Sequence, residues 1–504
     1  MALNKIDWAS YLECYRGLLI APAGHGKTTA IADCIMQCPD DSCHLILTHT
    51  HAGIASLRVK LNKKKVPKNK YQIDTITGFA QRYVLSFEGN ENLPKTEDKS
   101  YFSTVVQHCT KLLNSAPIQL VIKATYNGIF VDEYQDCTIE QHEMILSLAK
   151  NLPLHVLGDP LQGIFSFEKT PLVNFERELS DFQVYDCLKY PWRWHDTNEE
   201  LGSLILSMRQ CLETHKPILL DEISCNGLTV VHHSMPADLH NPSFLKLLRS
   251  TIKSNIDDSF LIIYPSYNEP LKNGQVQPRG AIKDRIDLKI AIDYGYNFHM
   301  IDAIDANKFY SCSKKIDEFI DSCQAKRKIQ KIKALYDIMR VMHFGATAMN
   351  DWIDREHNRI KQKKSQECKV KCEKLQALLS TFEDKPNLPN LMMVFGYVYS
   401  LTKNKCHFKE LYFEIKRAAD IAESDGISLY DAMTLTKNRI RHMGRKIEGR
   451  CIGTTLLTKG LEFDTVILYE AHKFVDEKKF YVAISRARKK LVIITSAPKI
   501  QFKI

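Results

Sequence analysis

The chain contains no apolar run near the roughly 20 residues that a membrane span requires. Its start, MALNKIDWAS, lacks the basic, then apolar, then small-residue order of a secretory signal. No membrane partner is therefore expected, and the chain reads as cytoplasmic. No C-x-x-C pair occurs among its 15 cysteines, which disfavours zinc knuckles and a disulfide framework and suits a reducing compartment. Cys34 and Cys38, like Cys368 and Cys372, stand one helical turn apart; free thiols are the plainer reading of each pair, half a metal site the alternative. Internal repeats and low-complexity tracts are also missing. At 504 residues, 44% apolar and 25% charged, the chain is too long for one core, so several globular domains are expected.

What is present begins with charge. The formal net charge of +10 is modest for this length, but its distribution is uneven. Residues 60–70 (KLNKKKVPKNK) carry six lysines and no acid, residues 355–374 carry eight basic side chains, and residues 437–450 carry six against one acid. Each run is either a solvated face or a contact for a polyanion.

Two stretches carry chemistry. In GLLIAPAGHGKTTAIADCIM an apolar strand runs into a glycine-rich turn and a helix opening at Lys27 and Thr28. Such a turn lets backbone N–H groups close on phosphate oxygens, the helix N-terminus adds its positive end, Lys27 reaches the terminal phosphates, and the Thr28 hydroxyl can ligate Mg²⁺. Gly24, His25, Gly26, Lys27, Thr28 and Thr29 are the expected nucleotide-binding residues, although Ala21 stands where the strict pattern has its first glycine. The second stretch, FVDEYQDCT, ends a buried strand on Asp132 and Glu133. Adjacent carboxylates repel, and a helix cap explains only one of them. A metal role for Asp132 alongside Thr28, and a water-activating role for Glu133, explain both.

Eight segments, APAGHGKT, ILTHTHAGIASLRVKL, IDTITGFAQRYV, IFVDEYQDCTIEQ, VLGDPLQGIF, LKYPWRW, TTLLTKGLEFDTVIL and FYVAISRARKKL, resemble in order and character the motifs of the UvrD/Rep/PcrA-like superfamily 1 DNA helicases. The compact length and reduced insertions resemble the helicase component of Gabija anti-phage systems, which implies a separate, GajA-like nuclease partner. The resemblance implies that Gln162 senses the γ-phosphate with Asp159 on the metal side, and that Arg193 and Arg486 reach the γ-phosphate from a second lobe. It also implies that Trp192 meets the nucleotide base, with core packing beside Trp194 as the alternative, and that Glu462 contacts ribose. Guanidinium groups placed in this way contribute ~10³ to 10⁵ in rate in comparable phosphoryl-transfer enzymes. For DNA, it implies base stacking on Phe165 and Phe167, with core packing as the alternative, and phosphate contacts by Thr48, Thr50 and Thr75.

The chain departs from the family in three places. No glutamine precedes Gln37, so the adenine-reading glutamine is absent and Ile6 or Asp7 stands in its place. His49 replaces an aromatic residue, and Leu456 replaces a histidine, removing two strand contacts. Weaker or altered strand binding and weaker adenine selectivity are expected.

Apolar strand-like runs alternating with helical stretches predict an α/β fold of two RecA-like parallel-sheet lobes with two short, mainly helical insertions. The expected boundaries are 1–80 with 118–185 for the first lobe, 81–117 for a small insertion, 186–304 with 443–504 for the second lobe, and 305–442 for a reduced helical insertion, where Pro386 and Pro389 break the helical pattern. The expected function is a DNA-stimulated ATPase, using ATP and Mg²⁺, that translocates on single-stranded or tailed duplex DNA in the 3′ to 5′ direction of its relatives. The alternative is a nucleotide-sensing subunit that regulates a partner nuclease. Only 18 residues follow Arg486 and no nuclease motif is among them, so any cutting is expected of the partner.

Overall fold

The computed structural model describes residues 6, 8–89, 91–94, 100–164, 171–271, 274–301, 306–325, 330–402, 406, 409–443 and 449–502. The chain divides into two compact units, one formed by residues 1–301 with 446–504 and the other by 302–445.

The larger unit contains two six-stranded parallel sheets. Strands β1 (Arg16–Ile20), β2 (His44–Thr48), β3 (Tyr71–Thr75), β4 (Gly128–Val131), β5 (Leu154–Gly158) and β6 (Gln183–Tyr185) form the first, in the order β3-β2-β4-β5-β1-β6. β2, β4 and β5 are buried along their whole length, and the core of β1 with them, so these strands are mostly apolar without alternation because helices cover both faces of the sheet. Parallel pairing brings every strand out at one edge, and that edge collects the chemistry. Ile20 pairs with Gly158, and Val131 with Val156, so the turns after β1, β4 and β5 emerge side by side. The sequence between β3 and β4 forms helices Ile76–Phe87, Tyr101–Leu113 and Ala116–Thr125, whose Phe79, Val84, Val105, Cys109 and Ile122 share a core with Ile129 and Val131 of β4.

The second sheet comprises β7 (Leu228–His232), β8 (Phe260–Ile263), β9 (His299–Met300), β10 (Arg450–Gly453), β11 (Phe463–Leu468) and β12 (Ala487–Thr495), ordered β9-β10-β8-β11-β12-β7. Its strands come from both sides of the 302–445 stretch, so that stretch is an insertion in the second lobe. One core cluster unites the lobes: Ala23 and Leu161 of the first pack with Trp194, Ile205, Leu468 and Tyr481 of the second.

The smaller unit is helical, with helices Ala306–Gln324, Lys331–Val341, Ala346–Asn350, Gln366–Asp384, Leu388–Leu401, Lys409–Asp425 and Leu429–Met443, and a two-stranded pairing of Ile353–Asp354 with Arg359–Ile360. Pro386 lies between two of these helices. Pro389 lies inside the first turn of Leu388–Leu401, where a missing N–H costs nothing. Among the described residues, no helix is long and apolar enough to cross a membrane.

Candidate nucleotide site

The turn after β1 is shaped by two glycines. Gly24 (φ 76°) and Gly26 (φ 91°) adopt left-handed backbone, and a Cβ on Gly24 would stand 2.7 Å from Cβ of Arg193, so no larger residue fits there. Ala21 is absent from the positive-φ positions, which explains why the first glycine of the pattern is dispensable here. Gly26 caps helix Lys27–Gln37, and Lys27 turns its ammonium to the carbonyls of Ala21 (2.8 Å) and Pro22 (3.3 Å). The Thr28 hydroxyl donates to Asp132 at 3.1 Å, joining the turn after β1 to the end of β4.

Past β4 the backbone bends sharply. Glu133 sits at φ 56°, a left-handed conformation that costs a non-glycine residue of order 1 kcal/mol. Burial and the adjacent Glu133 raise the Asp132 pKa to about 7. Burial pushes Glu133 up as well, but Lys27 and Lys459 outweigh it and hold Glu133 below the usual carboxylate range. The pair is therefore split: Glu133 is ionised, and Asp132 is the carboxyl that a nearby cation would ionise. The Gln135 amide donates to Glu133 at 2.5 Å and accepts from the Asp159 N–H at 2.9 Å, which fixes its direction.

The second lobe closes the opposite wall. Arg193 donates to the Ser485 carbonyl (2.6 Å) and to Glu462 (2.8 Å), while its Nε is buried without a partner. Arg486 is 1% exposed and donates to the carbonyls of Val482 (2.8 Å) and Leu461 (3.1 Å), to Ser485 Oγ (2.8 Å), and to Gln162 Oε1 (3.5 Å). All of these acceptors are neutral. Burial and then Arg193 push the Arg486 pKa down, against Glu462 and Glu133, which raise it. Lys459 spans the lobes from the second, donating to Asp136 at 2.6 Å and to the Gln162 carbonyl at 2.5 Å.

Together these walls enclose a cleft of about 620 Å³. Of the residues expected from the sequence, Gly24, Gly26, Lys27, Thr28, Thr29, Asp132, Glu133, Gln162, Trp192, Arg193, Glu462 and Arg486 line it, as do Thr48 and Thr50. Trp192 is 47% exposed at the cleft, beside Gly26, whereas Trp194 is the buried ring, donating Nε1–H to the Ala487 carbonyl at 2.7 Å. Glu462 is held by Arg193, and that contact outweighs burial to lower its pKa. His25 is buried, with Nδ1 2.9 Å from the Ala23 carbonyl, and lies outside the lining. Thr75 is outside it too: its hydroxyl caps helix Ile76–Phe87 by accepting from Gly78 N (2.9 Å), as that of Thr50 does from Gly53 N (3.0 Å). Asp159 is fully buried against Arg209 at 2.8 Å and lies outside the lining. Phe165 and Phe167 lie outside the described residues. Sequence reasoning did not single out Lys459 or Arg209. The signal for Arg209 was a lone arginine on an apolar stripe with Leu201, Ile205, Met208 and Leu212.

Residues 61–183 match the UvrD/REP helicase N-terminal domain. Residues 396–495 match the viral superfamily 1 RNA helicase core domain. Two curated ATP-dependent helicase/nuclease subunits, from Streptococcus equi subsp. zooepidemicus strains MGCS10565 and H70, are each 27% identical over 128 residues, 25% of this chain and 10% of theirs. The chain thus spans about a tenth of the length of these relatives. Among solved structures, an arterivirus nonstructural protein 10 helicase with DNA covers 49% of this chain and 47% of its own at 13% identity and TM-score 0.26. The Pif1 helicase of Candida albicans covers 52% and 55% at 12% identity and TM-score 0.27. The sequence matches support a superfamily 1, UvrD-like helicase.

Proposed function

We propose that this chain is a DNA-stimulated ATPase that translocates on single-stranded DNA, 3′ to 5′, and separates tailed duplexes. The observation that carries the reading is the convergence of Lys27, Thr28, Asp132 and Glu133 from one sheet with Arg193 and Arg486 from the other in a single cleft. The donor set suits a magnesium nucleotide, because the second wall brings two guanidinium groups, one with an unpartnered Nε, and the first offers two oxygens, Thr28 Oγ1 and Asp132 Oδ2, 3.1 Å apart. Thr28 and Asp132 would hold Mg²⁺, which neutralises phosphate charge when bound. Glu133, ionised and aimed by Gln135, orients the attacking water and takes its proton. Arg193 and Arg486 stabilise charge on the transferred group, and since they belong to the second lobe, their alignment couples turnover to movement between the lobes. Trp192 offers a face to the base, and Glu462 an acceptor to the ribose. Thr48, Thr50, Thr75, Phe165 and Phe167 are the proposed strand contacts.

A second reading, a nucleotide-sensing subunit that controls a GajA-like nuclease in an anti-phage system, with this chain in the GajB position, is favoured by one observation. His49, which stands where a strand-stacking aromatic is expected, is a half-buried imidazole at the cleft wall with Nε2 3.4 Å from Cys137 Sγ, and burial, then Lys459, lowers its pKa to about 4, so it offers a neutral ring in place of the aromatic. ATPase rates with and without single-stranded DNA, combined with strand displacement on 3′- and 5′-tailed duplexes, test the motor. DNA-stimulated turnover with displacement from a 3′ tail supports it; DNA-independent turnover without displacement favours the regulatory reading.

A further inference from the structure

Asp159 is 0% exposed, and the cation that meets it comes from the other lobe. Arg209, 6% exposed in helix Glu199–Glu213, donates Nη1 to Asp159 at 2.8 Å and Nε to Glu213 at 2.9 Å. Its guanidinium stands 5.0 Å from the ring centroid of Tyr481, whose hydroxyl accepts from Ala23 N at 3.0 Å in the phosphate turn.

The Asp159 carboxylate determines how the Gln162 amide points, and the Asp159 backbone N–H holds a second amide. An ionised carboxylate only accepts, so Gln162 must offer it Nε2, which it does at 2.7 Å, leaving Oε1 toward Arg486. A neutral carboxyl can donate instead, and the Gln162 amide could then turn over and present NH₂ to a guanidinium that needs an acceptor. The backbone N–H of the same residue holds Gln135, whose other end holds Glu133. A carboxylate this enclosed needs a charge partner, and Arg209 supplies it at 2.8 Å.

We infer that Arg209 is a positioning residue: by pairing with the Asp159 carboxylate that receives the Gln162 amide, it fixes that amide toward Arg486 and ties the second-lobe helix to NTP turnover. The inference rests on the ATPase reading above.

The test is a set of steady-state ATPase measurements on the full chain, with melting temperatures taken in parallel. Arg209→Met should lower kcat about tenfold or more with KM for ATP within about threefold, and Arg209→Lys, which keeps the charge, should recover most of the loss. Asp159→Asn, which mimics the neutral carboxyl, should reproduce the defect. In a Gln162→Ala background Arg209→Met should cost no further kcat, although its melting temperature still falls. Multiplying penalties in the double variant would overturn the inference, because a merely structural arginine acts independently of the amide. If Arg209→Met does not fold, the contrast between Arg209→Lys and Asp159→Asn decides: equal turnover in the two refutes the inference, while retained turnover in the first and loss in the second supports it. A parent chain without NTPase activity would sink the ATPase reading and this inference with it, whereas an active parent with multiplicative variants sinks the inference alone.

Discussion

Glu133→Gln isolates the proposed base, because the structure fixes how the replacement must sit. Glu133 accepts from the Gln135 amide, and Gln135 cannot turn over without losing the Asp159 N–H at its other end. The new glutamine must therefore give its oxygen to Gln135 and turn its NH₂ toward the cleft, where the carboxylate oxygen would have received a proton. A donor in that place neither accepts the proton nor orients the water's hydrogens. General-base contributions of ~10² to 10⁴ correspond to about 3–5 kcal/mol of barrier, which is the expected loss in kcat. The phosphate turn and Arg486 are untouched, so ATP affinity should remain within a few-fold of the parent. Folding should change little: the variant removes attraction to Lys27 and Lys459, but it also removes repulsion from Asp132, and the two oppose each other. Single-turnover hydrolysis read against fluorescent-nucleotide binding separates chemistry from affinity, and the variant should accumulate as the nucleotide complex. Hydrolysis at the parental rate would show that Glu133 is not the base.

Arg486→Lys keeps the charge but loses the fork that reaches Val482, Leu461 and Ser485 together, so kcat should fall far more than KM rises; equal changes in both would place Arg486 in ground-state binding. Trp192→Ala should weaken ATP and GTP binding to similar extents, since an exposed indole face reads no base edge and Ile6 packs against the core; strong rejection of GTP by the parent would require another reading group. His44 and His155 are buried, and burial lowers both pKa values from 6.5 to about 4. The unfolded chain therefore takes up protons first as pH falls below 6.5, costing about 1 kcal/mol of stability per histidine at pH 5.5. A double His44→Gln, His155→Gln variant should flatten the denaturant midpoint between pH 7.5 and 5.5 relative to the parent, and an unchanged slope would refute this account.

Legibility in the sequence followed how local each constraint was. The two parallel sheets announced themselves because a strand covered on both faces is mostly apolar, as in LHVLG and HLILT despite a histidine in each, and the glycine-rich turn after β1 did so because its glycines are required by φ and by Arg193 at 2.7 Å. Asp132 and Glu133 were conspicuous as an unexplained pair, yet their division of labour was not: it depends on Lys459, 326 positions away from Glu133 in sequence. The Trp192 and Trp194 alternatives were likewise open to a reader of YPWRW. The short helix Trp192–His195 turns one ring to the cleft and drives the other under Gly202, where a Cβ would stand 2.9 Å from Trp194. Arg209 shows the limit most clearly. Its spacing marks it as a charged residue on a buried stripe, but which charge it answers is decided by how helix Glu199–Glu213 lies against the turn after β5, and no spacing within either segment encodes that meeting. Contacts across the lobes are the part of the site that moves when the lobes move, and for that reason the residues hardest to read from sequence are those best placed to couple turnover to motion.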